Sequence, residues 1–344
     1  MAIDPYANCN LQILDDDLCT LETCCLAQSS FLYIPSYGGN IFFAIWFGLM
    51  ILPQIGLGIR YKTWGFMSAM IIGLALEVIG YAARVQLNNN PFDGDSFLMC
   101  VPLIPYIKPA SDLPCSRYLI TLTIAPVFIS AAIYLCLTRI IVIYGEKCSR
   151  FKPGTVAIAF MTSDFLSLLL QAVGGAIADT ADTHADSRVG IDIMIAGLVL
   201  QAISLAAFLV FVADFAWRCH RGVLDQGPAK QRVRNQMLFK AFMANLLLAT
   251  IVILIRSIFR VAELWGGFDG ALWNNEVDFL ILDGAMISLA ALCLSALHPG
   301  PAFGGQWNAA NWSFRAKKNG AEVEKPSNAS SLRSWRRLGR PSTS

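Results

Sequence analysis

Charged side chains are scarce in this sequence, and neither sign dominates. Only 15% of the 344 residues are Asp, Glu, Lys or Arg, against about 25% in an ordinary soluble domain. Hydrophobic residues make up 56%, and the mean hydropathy is +0.54. The near balance of 26 basic and 24 acidic residues gives no reason to expect a nucleic-acid partner. The composition excludes an ordinary soluble domain and favours an integral membrane protein.

The chain also lacks the motifs of several enzyme and cofactor classes. No G-x-x-x-x-G-K-[ST] loop for ATP and no G-x-S-x-G elbow occurs. The three histidines, His184, His220 and His298, lie at opposite ends of the apolar stretches described below and cannot converge on one metal ion. Because no lysine occurs between Lys240 and Lys317, the last stretch cannot hold a retinal Schiff base. We therefore predict no enzyme, no metal site and no cofactor.

Seven long apolar stretches make up most of the remaining chain. A helix needs about 20 apolar residues to cross a hydrocarbon core about 30 Å thick. Stretches of that length lie at 38–59, 64–83, 118–141, 156–178, 190–213, 239–261 and 277–297. The two-residue alternation of membrane β-strands is absent. We therefore predict an all-α integral membrane bundle of seven transmembrane helices.

Lys and Arg are distributed unevenly among the connections between these spans. Most of them follow spans 1, 3, 5 and 7, whereas the other connections and the N-terminal segment are acidic. The positive-inside rule then predicts the N-terminus outside and the C-terminus in the cytosol. The predicted organisation is an extracytoplasmic, acidic, cysteine-containing tail at 1–36, a seven-helix domain at 37–300 and a disordered, basic cytosolic tail at 301–344.

Cysteines concentrate on the side that this topology predicts to be oxidising. Six of the ten fall there: Cys9, Cys19, Cys24, Cys25, Cys100 and Cys115. Cys100 and Cys115 share one connection and are the disulfide candidates, although six cysteines allow 15 pairings. The remaining four are expected to be inert thiols. Palmitoylation is the alternative for Cys148 and Cys219, which flank predicted cytosolic span ends.

Ionisable and amide side chains recur inside the predicted spans, where their cost makes them candidates for function. On span 2, Glu77, Tyr81 and Arg84 share one helical face because they are separated by four and three residues. Further residues of spans 4 to 7 complete the set predicted to bind substrate or line a cavity: Asp164, Gln171, Gln201, Arg256, Arg260, Glu263, Glu276 and Asp283.

These charges admit two interpretations. The simplest arrangement joins Arg256 to Asp283 across neighbouring helices, with a second pair formed among Arg84, Arg260 and Glu263. In one interpretation such pairs only fix the helix register. In the other they line a polar cavity in the outer half of the bundle, which the similar predicted depth of Glu77, Gln171, Arg256 and Asp283 favours. Asp164 is the exception, because it is predicted nearer the inner side. The glycines of the same spans are expected to permit close helix packing rather than bind substrate.

The order and spacing of several motifs resemble a known family. The motifs are G-L-A-L-E-V-I-G-Y-A-A-R (73–84), A-P-V-F-I-S-A-A-I-Y (125–134) with Arg139, D-F-L-S-L-L-L-Q-A-V-G-G (164–175), G-L-V-L-Q (197–201), I-R-S-I-F-R-V-A-E (255–263), E-x6-D (276–283) and H-P-G (298–300). Across about residues 37–300 the chain resembles the fungal RTA-like lipid-translocating exporters, seven-span proteins named for resistance to an aminocholesterol. The resemblance implies a fungal membrane protein linked to sterol-like toxin resistance, sphingoid-base export or lipid stress.

Two positions depart from the pattern that this resemblance implies. Family members often have His before the glutamate that opens span 7, where this chain has Asn275. They often have an aromatic residue four positions after that glutamate, where this chain has Leu280. If that aromatic side chain contacts ligand, the specificity of this chain differs from that of its relatives.

Two functions are compatible with these observations. An exporter or translocase of amphipathic lipids would shelter a cationic head group beside Glu77, Asp164 or Asp283 while the hydrocarbon chains stay in lipid. With no ATP site, movement would be down a gradient, coupled to protons or driven by a partner. For proton coupling we expect Asp164 to be the carboxylate involved, because it lies deepest. The alternative is a seven-helix, receptor-like sensor of lipid stress that transports nothing.

The expected partners are membrane lipids and an amphipathic small-molecule substrate. The plasma membrane is the expected location, with a vacuolar or endosomal membrane as the alternative.

Overall fold

The structure, a computed structural model, describes residues 24–26, 32–89, 117–145, 148–179, 181, 184–221, 228–267, 270–304 and 307. Within these residues the chain is helical and contains no strand. Seven of the helical segments are long and apolar enough to cross a membrane, which confirms the predicted fold. The Cys100–Cys115 disulfide candidate and most of both predicted tails lie outside the described residues.

Six continuous helices and one interrupted helix form the bundle. The helices before the interrupted one are α1 (Tyr37–Tyr61), α2 (Trp64–Asn89), α3 (Arg117–Tyr144), α4 (Pro153–Asp179), α5 (His184–Arg221), the short α6 (Pro228–Asn235) and α7 (Met237–Trp265). The seventh span comprises α8 (Glu276–Phe279), a π-helix (Leu280–Ala285) and α9 (Met286–Ala296), and a short α10 (Pro299–Ala302) follows it.

The bundle has two ends, which we name after Glu276 and Arg60. At the Glu276 end, the backbone N–H of Ser36 donates to the Glu276 carboxylate at 2.5 Å, which joins the start of α1 to the start of the seventh span. At the Arg60 end, Arg139 near the end of α3 donates to the carbonyl of Trp307 at 2.6 Å. Apolar side chains such as Phe42 on α1 remain exposed on the outside of the bundle, as hydrocarbon surroundings require.

Several helices run beyond the predicted apolar stretches. The span over 64–83 continues to Asn89, and the one over 190–213 extends in both directions to His184–Arg221. Hydropathy counts only residues that suit hydrocarbon, whereas a helix continues through polar residues until its backbone hydrogen bonds stop. The π-helix in the seventh span has no signal in the hydrophobic pattern, and we did not predict it.

Glycines let α4 and α5 pack backbone to backbone. A Cβ atom on Gly174 would lie 2.6 Å from the backbone nitrogen of Met194 and 2.7 Å from the carbonyl oxygen of Gly190. A Cβ on Gly190 would overlap the backbone of Ala178. Because backbone atoms cannot rotate out of the way, only glycine fits at these two positions. The packing role predicted for the glycines is confirmed here.

The described cysteines divide as the topology predicts. Cys24 and Cys25, ahead of α1, are both disulfide-bonded. The cysteines within the bundle are free and buried: Cys136, Cys148, Cys219 and Cys293. Burial makes these four poor candidates for modification, which favours inert thiols over palmitoylation.

His298 begins the short helix that closes the Arg60 end of the seventh span. Its Nδ1 accepts a hydrogen bond from the backbone N–H of Gly300 at 3.1 Å, and Pro299 occupies the first helical position. The imidazole and the Phe66 ring pack nearly perpendicular to each other, with the ring centroids 5.2 Å apart. Burial lowers the pKa of His298 from 6.5 to about 4, so the native protein holds this imidazole neutral.

Acid should destabilise the fold through His298. The unfolded chain takes up a proton on this imidazole below about pH 6.5, whereas the folded protein does so only near pH 4. Stability is therefore complete above pH 6.5 and falls as the pH drops toward 4, by at most about 3 kcal/mol. His298→Asn keeps a side-chain acceptor for Gly300 but cannot titrate. Thermal melting in detergent should show a shallower pH dependence for the variant, and identical slopes would contradict this.

Candidate functional site

A buried ion pair joins α7 to the seventh span. The Nε of Arg256 donates to Oδ1 of Asp283 at 2.7 Å, and both side chains are 1% exposed. This confirms the pair predicted between neighbouring helices. Such a pair needs further hydrogen bonds to offset the loss of water around both charges.

Arg256 also binds the backbone of α3. Its Nη2 donates to the carbonyl oxygen of Leu122 at 2.9 Å. This carbonyl lies four residues before Pro126, which has no N–H to donate to it within the helix. An unsatisfied carbonyl is costly inside a membrane, and the guanidinium supplies the missing donor. Arg256 therefore connects α3, α7 and the seventh span.

Asp283 lies within the π-helix. A π turn widens the helix by one residue, and such turns are rare and often coincide with functional sites. The next residue, Gly284, leaves room for the side chains of α1 and α2. A Cβ there would lie 2.6 Å from the Tyr81 hydroxyl and 3.1 Å from the ring of Phe43.

A second ion pair lies nearer the Glu276 end. Nη1 of Arg260 donates to Oε2 of Glu263 at 2.5 Å, one turn further along α7. The predicted second pair is therefore confirmed as Arg260–Glu263.

Arg84 of α2 contacts three other side chains. Its guanidinium donates to Oδ1 of Asn40 at 3.1 Å and to the Tyr33 hydroxyl at 2.8 Å, and lies 4.0 Å from the centre of the Phe279 ring. Burial raises the pKa of the Tyr33 phenol, and the Arg84 guanidinium opposes part of that rise. These contacts tie the segment before α1 to α2 and the seventh span.

The two ion pairs and the Arg84 contacts together form what we name the charge network. Glu77 lies beside the charge network but does not take part in its hydrogen bonds. The side chain is fully buried, and neither carboxylate oxygen has a hydrogen-bond partner within the described part of the chain. The same holds for the Tyr81 hydroxyl and for Oδ2 of Asp283, which are equally buried. We name the four atoms of these three side chains the unpaired cluster. Polar atoms in such a setting require a proton, water or a ligand.

Asp164 occupies a different part of the bundle. The Tyr134 hydroxyl of α3 donates to its Oδ2 at 2.8 Å, and the Ser130 hydroxyl lies 3.1 Å from the same oxygen. Its Oδ1 has no hydrogen-bond partner among the described residues. Helix α3 therefore orients the carboxylate, and Oδ1 remains without a hydrogen-bond donor from the described residues.

A groove of about 470 Å³ between α2, α3 and α4 reaches Asp164. This volume lies within the range of roughly 300–1,000 Å³ that small-molecule sites occupy. Asp164 is the ionisable acid on its wall, Tyr134 and Ser68 add hydroxyls, and the remaining walls are mostly apolar. Wall residues that are also exposed on the outside of the bundle, such as Ile72 and Phe165, place the opening at its lipid-facing surface.

Gln171 and Gln201 form a third group. Nε2 of Gln171 on α4 donates to Oε1 of Gln201 on α5 at 3.2 Å, where Gly197 packs against α4. The residues that we predicted to line one cavity therefore lie in three places. These are the charge network with the unpaired cluster, the Asp164 groove, and this amide pair. Glu276 belongs to none of these three groups. It begins the seventh span and accepts the hydrogen bond from the backbone N–H of Ser36.

Several residues of these sites were not predicted as site residues. Tyr134 and Ser130 orient Asp164, while Asn40 and Tyr33 bind Arg84. The four-residue spacing of Ser130 and Tyr134 on one face of an apolar helix is a signal that could have identified that pair. Asn275, which departs from the family pattern, caps α8 by accepting from the backbone N–H groups of Val277 and Asp278.

These observations define an integral membrane protein of seven helices, with buried ion pairs in the core and an amphipathic groove that opens toward lipid. Within the described residues, no group of three His, Cys, Asp or Glu side chains is placed to hold a metal ion.

Residues 70–306 match the family model described as RTA1 like protein, and the chain belongs to that family. The sphingoid long-chain base transporter RSB1 of Saccharomyces cerevisiae is 30% identical over 311 residues, covering 81% of this chain and 76% of the relative. Protein RTM1 of the same organism is 27% identical over 70% of this chain and 72% of the relative. Protein RTA1 of Saccharomyces cerevisiae is 26% identical over 78% of this chain and 84% of the relative. No solved structure matches.

Proposed function

We propose that this chain transports single-chain cationic lipids of the sphingoid-base class across a membrane. The observation that carries the proposal is the Asp164 groove, which combines one carboxylate with a mostly apolar wall and an opening toward lipid. The name of RSB1, a sphingoid long-chain base transporter, supports the same substrate class. The name of RSB1 also favours a transporter over an enzyme or a sensor.

The chemistry of the groove suits a lipid amine. A sphingoid base carries an ammonium group with neighbouring hydroxyls on one alkyl chain. The unfilled Oδ1 of Asp164 offers an acceptor for the ammonium, and the hydroxyls of Tyr134 and Ser68 offer polar contacts nearby. The apolar wall receives the upper part of the alkyl chain, while the rest remains among lipids. A phosphate-bearing lipid would instead meet the Asp164 carboxylate with a like charge.

Substrate entry is expected from the membrane rather than from water. Asp164 lies eleven residues from the start of α4 at Pro153, or about 16 Å along the axis at about 1.5 Å per residue. A head group would therefore meet the carboxylate well inside the bundle. We further propose that the Glu276 end faces outward and that the plasma membrane is the site of action, since the basic connections favour that orientation.

Removing the charge of Asp164 should abolish most of the transport. Asp164→Asn keeps the size of the side chain but loses the charge-assisted contact with the ammonium, worth about 1.5–3 kcal/mol. We expect flux of a labelled sphingoid base into vesicles holding the purified full chain to fall at least about tenfold. The matched control is Asp192→Asn, which changes an exposed acid of α5.

The substrate provides a second control. An N-acetylated sphingoid base keeps the chain and hydroxyls but has no positive charge, so it should be a poor substrate for both proteins. Unchanged flux in Asp164→Asn would overturn the assigned head-group site. Ligand binding without flux by the native protein would overturn transport in favour of sensing. The melting temperature of each variant in detergent establishes that the comparison is between folded proteins.

A further inference from the structure

The unpaired cluster lacks the hydrogen bonds that its burial demands. Glu77 is 0% exposed, and neither of its oxygens accepts a hydrogen bond from the described residues. Tyr81 and Asp283 are also buried, and each presents an oxygen that has no hydrogen-bond partner among the described residues. An ionised carboxylate in such surroundings is expensive, whereas a protonated carboxyl is neutral and brings a donor for a neighbouring oxygen.

The arginines around Glu77 form hydrogen bonds with other groups. Arg256 bonds to Asp283 and to the Leu122 carbonyl, and Arg260 bonds to Glu263. The titratable and charged groups to be considered around Glu77 are Tyr81 and Arg84 of its own helix, Arg256, Arg260 and Glu263 of α7, and Asp283 of the seventh span. Helix α3 contributes a backbone carbonyl, that of Leu122, to this group. Among the described residues no guanidinium donates a hydrogen bond to Glu77, although Arg256 and Arg260 are close enough to interact with its charge.

Helix α2 connects Glu77 to the groove. Ile72 and Ala69 of α2 form part of the groove wall, and Glu77 lies five residues beyond Ile72, about 8 Å along the axis. Between them Gly73 packs tightly on α3, where a Cβ would lie 2.9 Å from Ile129 and 3.1 Å from the Ala125 carbonyl oxygen. A change of charge at Glu77 therefore acts on the helix that borders the head-group site.

We propose that Glu77 is a proton-binding site and that the protein exchanges its proton for the cationic lipid held at Asp164. The inference rests on the proposed function. In each cycle the O–H bond of Glu77 breaks on one side of the membrane and forms again on the other. One proton moves one way and one ammonium cation the other, so no net charge crosses.

The two acids differ in a way that assigns their roles. The hydroxyl groups of Ser130 and Tyr134 hold Oδ2 of Asp164, which leaves its Oδ1 for an ammonium group. Neither oxygen of Glu77 has a hydrogen-bond partner among the described residues, and a bound proton would supply a donor there. From the sequence we expected Asp164 to be linked to proton movement, and we propose Glu77 for that role instead.

Infrared spectroscopy tests whether Glu77 carries a proton, independently of transport. The native full chain in detergent at neutral pH should show the carbonyl stretch of a protonated carboxylic acid, shifted by deuterium exchange. Glu77→Gln should lose this band, and Asp192→Asn should retain it. A spectrum unchanged by Glu77→Gln would overturn the proton site, because a carboxylate that was already ionised contributes no such band.

Flux measurements test the coupling. Vesicles holding the full chain receive a labelled sphingoid base with and without a gradient of about one pH unit, which supports up to about tenfold accumulation. Flux into protein-free vesicles is subtracted, because a lipid amine distributes along a pH gradient unaided. The native protein should respond several-fold to the gradient. Glu77→Gln should transport equally with and without it, while Asp164→Asn should be slow in both conditions.

The outcomes separate this inference from the proposed function. A Glu77→Gln protein that still responds to the gradient overturns the coupling, and so does a native response to sodium or potassium instead of protons. Absence of flux in the native protein, together with loss of the infrared band in Glu77→Gln, overturns transport and coupling but leaves the protonated Glu77 standing. Both variants are compared by their melting temperature before flux is measured.

Discussion

Arg256→Met should destabilise the protein by about 3–5 kcal/mol, the cost of leaving one member of a buried ion pair without its partner. Two groups lose their donor at once, because the same guanidinium serves Asp283 and the Leu122 carbonyl. Methionine fills a similar volume without charge, so the loss measures electrostatics and hydrogen bonding more than packing. Unfolding of the full chain in mixed micelles, followed by circular dichroism, provides the measurement.

A double variant separates the contribution of the whole ion pair from the cost of leaving one of its charges without a partner. Arg256→Met combined with Asp283→Leu removes both charges, and replacing a whole buried pair with apolar groups is often close to neutral. We expect it to recover at least half of the lost stability, with the remaining deficit due to the Leu122 carbonyl. Arg60→Met, at an exposed position of α1, should change stability by less than about 0.5 kcal/mol. A single variant as stable as this control would show that the ion pair contributes nothing to the fold.

The same substitution at two adjacent glycines of α4 should change the stability of the protein in opposite directions: Gly174→Ala lowers it and Gly175→Ala raises it. A Cβ on Gly174 would meet the backbone of α5 at 2.6–2.7 Å, so Gly174→Ala must separate the two helices. Overpacking of this kind costs about 1–3 kcal/mol and more where backbone is the obstacle. A Cβ on Gly175 has Met194 Sδ as its nearest neighbour at 3.8 Å. Gly175→Ala should therefore stabilise the helix by about 0.8 kcal/mol.

Because the two positions are neighbours on one helix, they share residue type and nearly the same depth, and they differ in what their faces contact. The difference between their melting temperatures isolates the contact between α4 and α5. Equal responses would show that the helices are not held at this separation. A change in unfolding cooperativity for Gly174→Ala would be the further sign that α5 has moved away from α4.

Hydropathy and charge were sufficient to predict the seven spans, because each span must supply about 20 apolar residues whatever it packs against. The Arg256–Asp283 pair was predictable for a related reason: two opposite charges in neighbouring helices have few other partners in a membrane. The grouping of the polar residues was not predictable. Depth along a helix can be counted in residues, but the direction that each face takes depends on packing.

The separation of Asp164 from Glu77 illustrates this limit. Both acids lie inside spans, and the sequence placed Asp164 nearer the inner side than Glu77 but could not show which helices each one faces. The structure places Asp164 beside α3 in a groove of its own, while the π-helix turns Asp283 toward Arg256. The latter arrangement depends on one extra residue in a helical turn, and no residue type marks where that turn occurs.

The contact between Arg256 and the carbonyl before Pro126 makes these two positions interdependent. A lineage that replaced the proline would regain an ordinary helical hydrogen bond and leave one nitrogen of the guanidinium without its acceptor. A lineage that replaced the arginine first would expose a backbone oxygen to hydrocarbon. Each step alone is penalised, so mutation in this family should change Arg256 and Pro126 together or leave both in place. The missing hydrogen bond in α3 is thereby preserved by a side chain of α7.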